Sequence, residues 1–130
     1  WCQVYFQTAS SSDDVLVKFN NNSSGYAHRH AINYGSDTKG SGSSIKLLDR
    51  NGASDQGRFA NFFILNNSAT EKLIISQGLE EETSGVSNPP TSNDCAGKWA
   101  NTSAQITEID CFTSSGNIRS GARLRVWGSN

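Results

Sequence analysis

Two histidines, His28 and His30, stand two positions apart with Arg29 between them. On an extended chain this spacing puts both imidazoles on one side, where neutral ring nitrogens can ligate Zn²⁺. No Cys or carboxylate stands at a companion spacing, so the pair reads as surface or rim histidines. The run Glu80-Glu81-Glu82, with Asp94 beyond it, offers carboxylates for calcium. Calcium loops alternate oxygen ligands around a turning glycine. Three successive carboxylates on a regular backbone do not converge on one ion, and the run reads as a solvated loop. No carboxylate pair stands out for glycoside hydrolysis. No serine lies in G-x-S-x-G, and both histidines precede any such elbow. Gly40-Ser41-Gly42-Ser43 lacks the lysine and helix of a phosphate loop. These residues point to no enzyme, no metal and no cofactor.

Other residue sets suit binding rather than catalysis. Arg123, Arg125 and Trp127 share one face of the last apolar stretch, and Ala122, Leu124 and Val126 share the other. The second set is expected to be the core face. The first is a cationic and aromatic stripe that can stack on a protein partner or a sugar, or pair with Asp or Glu on a neighbouring strand. Sequons for N-glycosylation occur at Asn21, Asn22, Asn66 and Asn101, all in expected turns or loops. Cysteine is odd in number: Cys2, Cys95 and Cys111 allow three single pairings, or three reduced thiols. Cys2 shares the apolar face of its stretch with Val4 and Phe6, Cys111 shares a face with Ile109, and Cys95 falls in an expected loop.

The elements that must position these residues are short. Cys2, Val4 and Phe6 alternate with polar or amphipathic neighbours, the period of a half-buried strand. Val15 to Phe19 is a second strand, ended by Asn20-Asn21-Asn22-Ser23-Ser24-Gly25. Tyr26 to Tyr34 is a third, Gly35 to Ser44 a Gly/Ser loop, and Ile45 to Leu48 a strand ended by the turn Asp49-Arg50-Asn51-Gly52. Arg58 to Asn66 and Glu71 to Ser76 form a hairpin around Asn66-Asn67-Ser68. Gln77 to Lys98, with Pro89-Pro90, reads as a long polar loop of functional or interaction type. Ile106 to Phe112 and Ala122 to Trp127 are the last strands, around the turn Ser114 to Asn117. No 3.6-residue apolar period extends over three turns. About eight short strands imply one all-β sandwich or barrel domain over residues 1–130.

Composition agrees. Ser, Gly, Asn and Thr make up 53 of 130 residues, charged residues are 18% and the net charge is −1. No apolar run approaches a membrane span, and a near-neutral charge argues against a nucleic-acid footprint. Clustered Trp, Tyr and Phe argue against disorder. Met is absent and Trp1 stands first, so the chain is expected to begin downstream of its translation start.

The ordered motifs resemble a family of phage-encoded β-sandwich proteins, found in environmental tailed phages as virion or tail-associated proteins. Asp14-Val15-Leu16-Val17-Lys18-Phe19-Asn20-Asn21-Asn22-Ser23, followed by Tyr26, is similar to its L-x-[RK]-F-N-x-D-x-x-x-N-Y stretch. Asn61-Phe62-Phe63-Ile64-Leu65 and Glu71-Lys72 resemble its central strand and return. Lys98-Trp99-Ala100-Asn101-Thr102-Ser103-Ala104-Gln105-Ile106-Thr107-Glu108-Ile109 resembles G-L-W-x-x-T-x-A-I-T-x-I. Ser115-Gly116-Asn117 with Gly121-Ala122-Arg123-Leu124-Arg125-Val126-Trp127-Gly128 resembles G-N-F-x-x-G-[ST]-x-x-x-L-Y-G. The resemblance implies a jelly-roll-like antiparallel sandwich with a structural, non-enzymatic role. In a jelly roll the strands at these two positions are antiparallel neighbours, so the resemblance favours a Cys2–Cys111 disulfide. Family members carry one or two strands before the one that Trp1 to Gln7 resembles. Their lack here leaves an edge or groove that a strand from a neighbouring copy is expected to fill.

The expectation is therefore a structural protein that assembles with copies of itself, as an extracellular filament or a phage-type virion appendage. It takes no nucleic acid and does not insert into membranes. Trp1, Tyr5 and Trp127 are its expected anchors, because their faces point away from the core, and glycosylation is in keeping with the sequons. The alternative is a carbohydrate-binding module, in which exposed Trp and Tyr stack on glycans.

Overall fold

Alternating apolar and polar residues give strands one dry face and one wet face, and about half of the strands here alternate in burial in that way. The computed structural model describes residues 1–7, 13–49, 57–81 and 85–128. Among them lie ten strands: β1 (Cys2–Gln7), β2 (Val15–Phe19), β3 (Tyr26–Ile32), β4 (Thr38–Gly42), β5 (Ile45–Leu48), β6 (Gly57–Leu65), β7 (Lys72–Glu80), β8 (Thr91–Trp99), β9 (Ile109–Thr113) and β10 (Arg123–Val126). All pairings are antiparallel. They form a seven-stranded sheet in the order β10-β1-β6-β7-β8-β3-β4 and a three-stranded sheet in the order β5-β2-β9. The expected all-β sandwich is observed, with ten strands rather than about eight.

Two segments expected as loops contribute strands. β4 lies inside the Gly/Ser stretch and pairs with β3 from Tyr26 opposite Gly42 to His30 opposite Thr38. An edge strand needs only its backbone to pair, so weak apolar content does not prevent it. The stretch from Gln77 to Lys98 carries the end of β7 and nearly all of β8. Its inward positions include Glu80, Thr91 and Asn93, all buried. Polar residues on the dry face hid the alternation. Residues 50–52 of the expected Asp49-to-Gly52 turn lie outside the described residues.

The core lies between the sheets. Val15, Val17 and Phe19 of β2 and Ile45, Leu47 and Leu48 of β5 pack on Val4, Phe6, Ala60, Phe62, Ile74 and Trp99 of the large sheet. Phe19, Tyr26 and Trp99 form a triangle of rings with centroids 6.1 Å apart. The Tyr26 hydroxyl also accepts the Phe19 N–H at 2.8 Å. Two glycines let β5 press onto the large sheet. A Cβ at Gly78 would collide with Leu48 Cδ2, and one at Gly97 would lie 2.9 Å from both Ile45 Cγ2 and Ile74 Cγ2. Beyond β2, Asn20 and Asn21 take positive φ of 52° and 50°, and the Asn22 N–H closes the turn on the Phe19 carbonyl at 2.9 Å. Asn tolerates this left-handed geometry better than most residues.

The interior also holds charge. Arg58 donates to the Asp13 carbonyl at 2.6 Å, and its Nε lies 3.9 Å from Glu80 Oε2, with all three residues buried. Glu80 is therefore the inward end of β7 and not part of a solvated acidic loop. Glu81 follows it at the exposed end, and Glu82 lies outside the described residues. Buried Lys72 donates to the Thr70 and Asn101 carbonyls, each at 2.7 Å.

Candidate interaction surfaces

The pairing register arranges the outer face of the large sheet in rows that run across the strands. Tyr5 stands opposite Arg123 and Phe59, and Phe59 opposite Leu79. Gln3 stands opposite Arg125 and Asn61, and Asn61 opposite Gln77. Phe63 stands opposite Ile75, and Leu65 opposite Leu73. Trp1 stacks on Trp127 with centroids 4.2 Å apart and planes 16° from parallel, and on Phe63 at 6.5 Å and 19°. The structure thus brings Trp1, Tyr5, Arg123, Arg125 and Trp127 to one outer corner, on β1 and β10 and their immediate flanks.

Next to the Trp1–Phe63 stack, the same face is apolar. Phe63, Leu65, Leu73 and Ile75 are each at least half exposed. They border a shallow trough of about 810 Å³ whose far side carries Arg29, Lys39 and Lys98. Arg29 is bound to Asp37 at 3.0 Å, and Lys98 to Glu71 at 2.8 Å. Contiguous apolar surface of this kind marks an interaction site. The signal in the sequence was two unbroken apolar runs, Phe62 to Leu65 and Leu73 to Ile75. A run apolar at both parities puts half its side chains on each face, and here only one face is covered.

The inner face is also incompletely covered. Cys2 stands opposite Val126 and Val4 opposite Leu124, so Leu124 and Val126 face the core side. Cys2 and Val4 are buried, yet Leu124 is 37% and Val126 56% exposed. The expected core face of the last strand is therefore in core register but uncovered. The three-stranded sheet stops at β9. The inward residues Val15, Val17 and Phe19 of β2 are buried, whereas Ile109, Cys111 and Thr113 of β9 are only partly so. Between β9 and β10 an opening of about 250 Å³ reaches Val4 and Phe6, lined also by Ile109, Cys111, Ile118 and Leu124.

The three cysteines are free thiols. β1 and β9 are not neighbours within one sheet, as the expected Cys2–Cys111 pairing presumed; they lie in the two facing sheets, with both side chains on the core side. Cys111 stands opposite Val17 and faces the core. Burial, then proximity to Cys2 and to Asp110, raises its pKa from 9.0 to about 12. Cys95 is not in a loop but buried in β8, opposite His30 and Ser76, and burial likewise raises it to about 12.

The histidines do share one side, and it is the inner one. His30 is buried, with Nε2 2.9 Å from Asn93 Oδ1 and Nδ1 3.6 Å from Asp49 Oδ2. His28 is partly buried beside Gly40. Burial, followed by the nearby His30 and Lys46, lowers its pKa. Among the described residues no group of three His, Cys, Asp or Glu is placed to hold a metal ion.

The sequons differ in their surroundings. Exposed Asn66 donates its side-chain amide to the Ile106 carbonyl at 3.0 Å and accepts the Ile106 N–H at 2.7 Å. Its amide nitrogen is thus engaged in tying down the segment before β9. Asn101 accepts from Ser103 and Ala104, and Asn22 from Ser24. Asn21 is exposed at the tip of its turn, its side-chain Oδ1 accepting from Lys18 Nζ at 2.9 Å. Among the described residues no helix is long and apolar enough to cross a membrane. No protein-family model, curated protein or solved structure matches this chain.

Proposed function

We propose that the chain is a non-enzymatic structural subunit that assembles with copies of itself, in an extracellular filament or a phage-type virion appendage. The observation that carries this reading is the uncovered inner face of β10. Leu124 and Val126 sit in core register, and the edge of β9 runs alongside with one sheet partner, β2. An extended segment laid along β9 extends the small sheet and covers both side chains, as in β-strand addition. The donor is a strand of a neighbouring copy.

The two edges of the large sheet are poorer places to pair. β4 reads Thr-Lys-Gly-Ser-Gly and β10 carries Arg123 and Arg125, so joining these two edges sets like charges against each other. Magnitudes show what the seam supplies. Covering Leu124 and Val126 is worth on the order of 1 kcal/mol each, and each main-chain hydrogen bond about 1 kcal/mol. A five-residue strand then gives a few kcal/mol, whereas micromolar affinity needs about 8 kcal/mol. The exposed Phe63, Leu65, Leu73 and Ile75 supply the remainder in a second contact. Two different contacts on one subunit, repeated head to tail without closing, make a fibre.

The tryptophans give less support to a carbohydrate-binding module. Sugar stacking needs free ring faces, and Trp1 and Trp127 lie face to face. The test is the assembly state of the native protein and of Val126→Asp, which puts a charge into the seam. Assemblies lost in the variant support the reading, and a native protein that stays monomeric at high concentration contradicts it.

A further inference from the structure

Arg123 and Arg125 lie on the outer face of β10, two residues apart, at the corner of the large sheet. Among the described residues no carboxylate pairs with either guanidinium. Both line a concavity of about 480 Å³ together with Gln3, Tyr5 and Gln7. Gln3 and Tyr5 stand directly opposite the two arginines across the β1–β10 pair. The Gln3 amide is steadied by its bond to Asn61 Oδ1 at 3.2 Å. Tyr5 differs from the stacked tryptophans. Its Cε2 and Oη both lie 3.6 Å from where a Cβ on Gly57 would stand, so the ring rests over a glycine. No other ring pairs with it among the described residues, and 37% of the residue is exposed.

These groups are complementary to one chemistry. Guanidinium forks bind carboxylates through paired N–H donors. Side-chain amides offer both a donor and an acceptor, which suits ring hydroxyls. An aromatic face held against the sheet can stack on the C–H face of a pyranose. We infer that this corner binds an acidic sugar, a uronate unit of a polysaccharide, with its carboxylate on Arg123 and Arg125, its hydroxyls on Gln3 and Gln7, and its ring on Tyr5. The site lies on the opposite face of β10 from Leu124 and Val126, so it is independent of strand addition at the seam.

Affinity electrophoresis of the whole chain tests this, with polygalacturonate, neutral dextran or dextran sulfate in the gel. The expected result is strong retardation by polygalacturonate and little by dextran. Arg123→Gln with Arg125→Gln should weaken retardation at least tenfold, and Tyr5→Ala should weaken it several-fold while leaving net charge unchanged. Arg125→Lys, which keeps the charge and loses the fork, should fall between native and double variant. Circular dichroism checks that each variant keeps the fold. Absence of retardation by polygalacturonate overturns the proposal, as does retardation unchanged in the double arginine variant. Equal retardation by dextran sulfate that survives Tyr5→Ala also overturns it, since that marks a bare cationic surface.

Discussion

At the scale of single residues, the cysteines and His28 have testable protonation behaviour. A thiol is nucleophilic only as thiolate, and burial holds Cys95 and Cys111 at about 12. Iodoacetamide at pH 8 should leave both unmodified in the folded protein and label all three cysteines in denaturant. The intact mass should be the same with and without reductant; a two-dalton rise on reduction shows a disulfide instead. Because these pKa values lie above 9.0, the stabilisation they represent is complete below pH 9 and is lost as pH rises from 9 toward 12. His28 has the opposite sign. Its pKa is depressed, so its contribution is present above about 6.5 and is lost as pH falls below that. His28→Gln should flatten the decline in urea midpoint between pH 6.5 and 5, and an unchanged decline places the acid sensitivity elsewhere. The outward direction of Trp1, Tyr5, Arg123 and Arg125 was legible in the sequence because β1 and β10 alternate cleanly. The partners of Cys2 and Cys111 were not, because which strands face each other depends on long-range order that no local pattern carries.

At the scale of elements, the close approach of the sheets depends on Gly78 and Gly97. Gly78→Ala drives a methyl into Leu48 and to 3.1 Å from the Phe59 carbonyl, so the buried Leu48 side chain or β5 itself must shift. Overpacking of this sort costs about 1–3 kcal/mol, to be read as a lower midpoint in urea at unchanged m-value. Gly97→Ala should act in the same direction, whereas Gly128→Ala, with nothing nearby, should be neutral. Strands β1, β2, β5 and β6 were legible because their apolar residues recur at period two or in β-branched runs. β8 was hidden, since its inward side chains include Thr91 and Asn93 and its middle carries Gly97. β4 was hidden for a different reason: its pairing is backbone alone, and its composition matches a loop.

At the scale of the whole molecule, seven strands face three, and the proposed assembly rests on that imbalance. Burial is complete under β2, partial under β9 and lacking over the inner face of β10. A lone sandwich leaves Leu124, Val126 and the opening to Phe6 in water. In the proposed assembly a neighbour's strand along β9 would remove that exposure, and the apolar row of Phe63, Leu65, Leu73 and Ile75 would give a second contact on the other face. The sequence showed the polar loops and the sandwich class, but the seam appears only when the register of β10 is set against the end of the small sheet. Negative-stain electron microscopy of the purified chain, beside its Val126→Asp variant, tests this most directly. The account predicts filaments or rings from the native protein and dispersed monomers from a folded variant. Monomers from both, or the same assemblies from both, would contradict it.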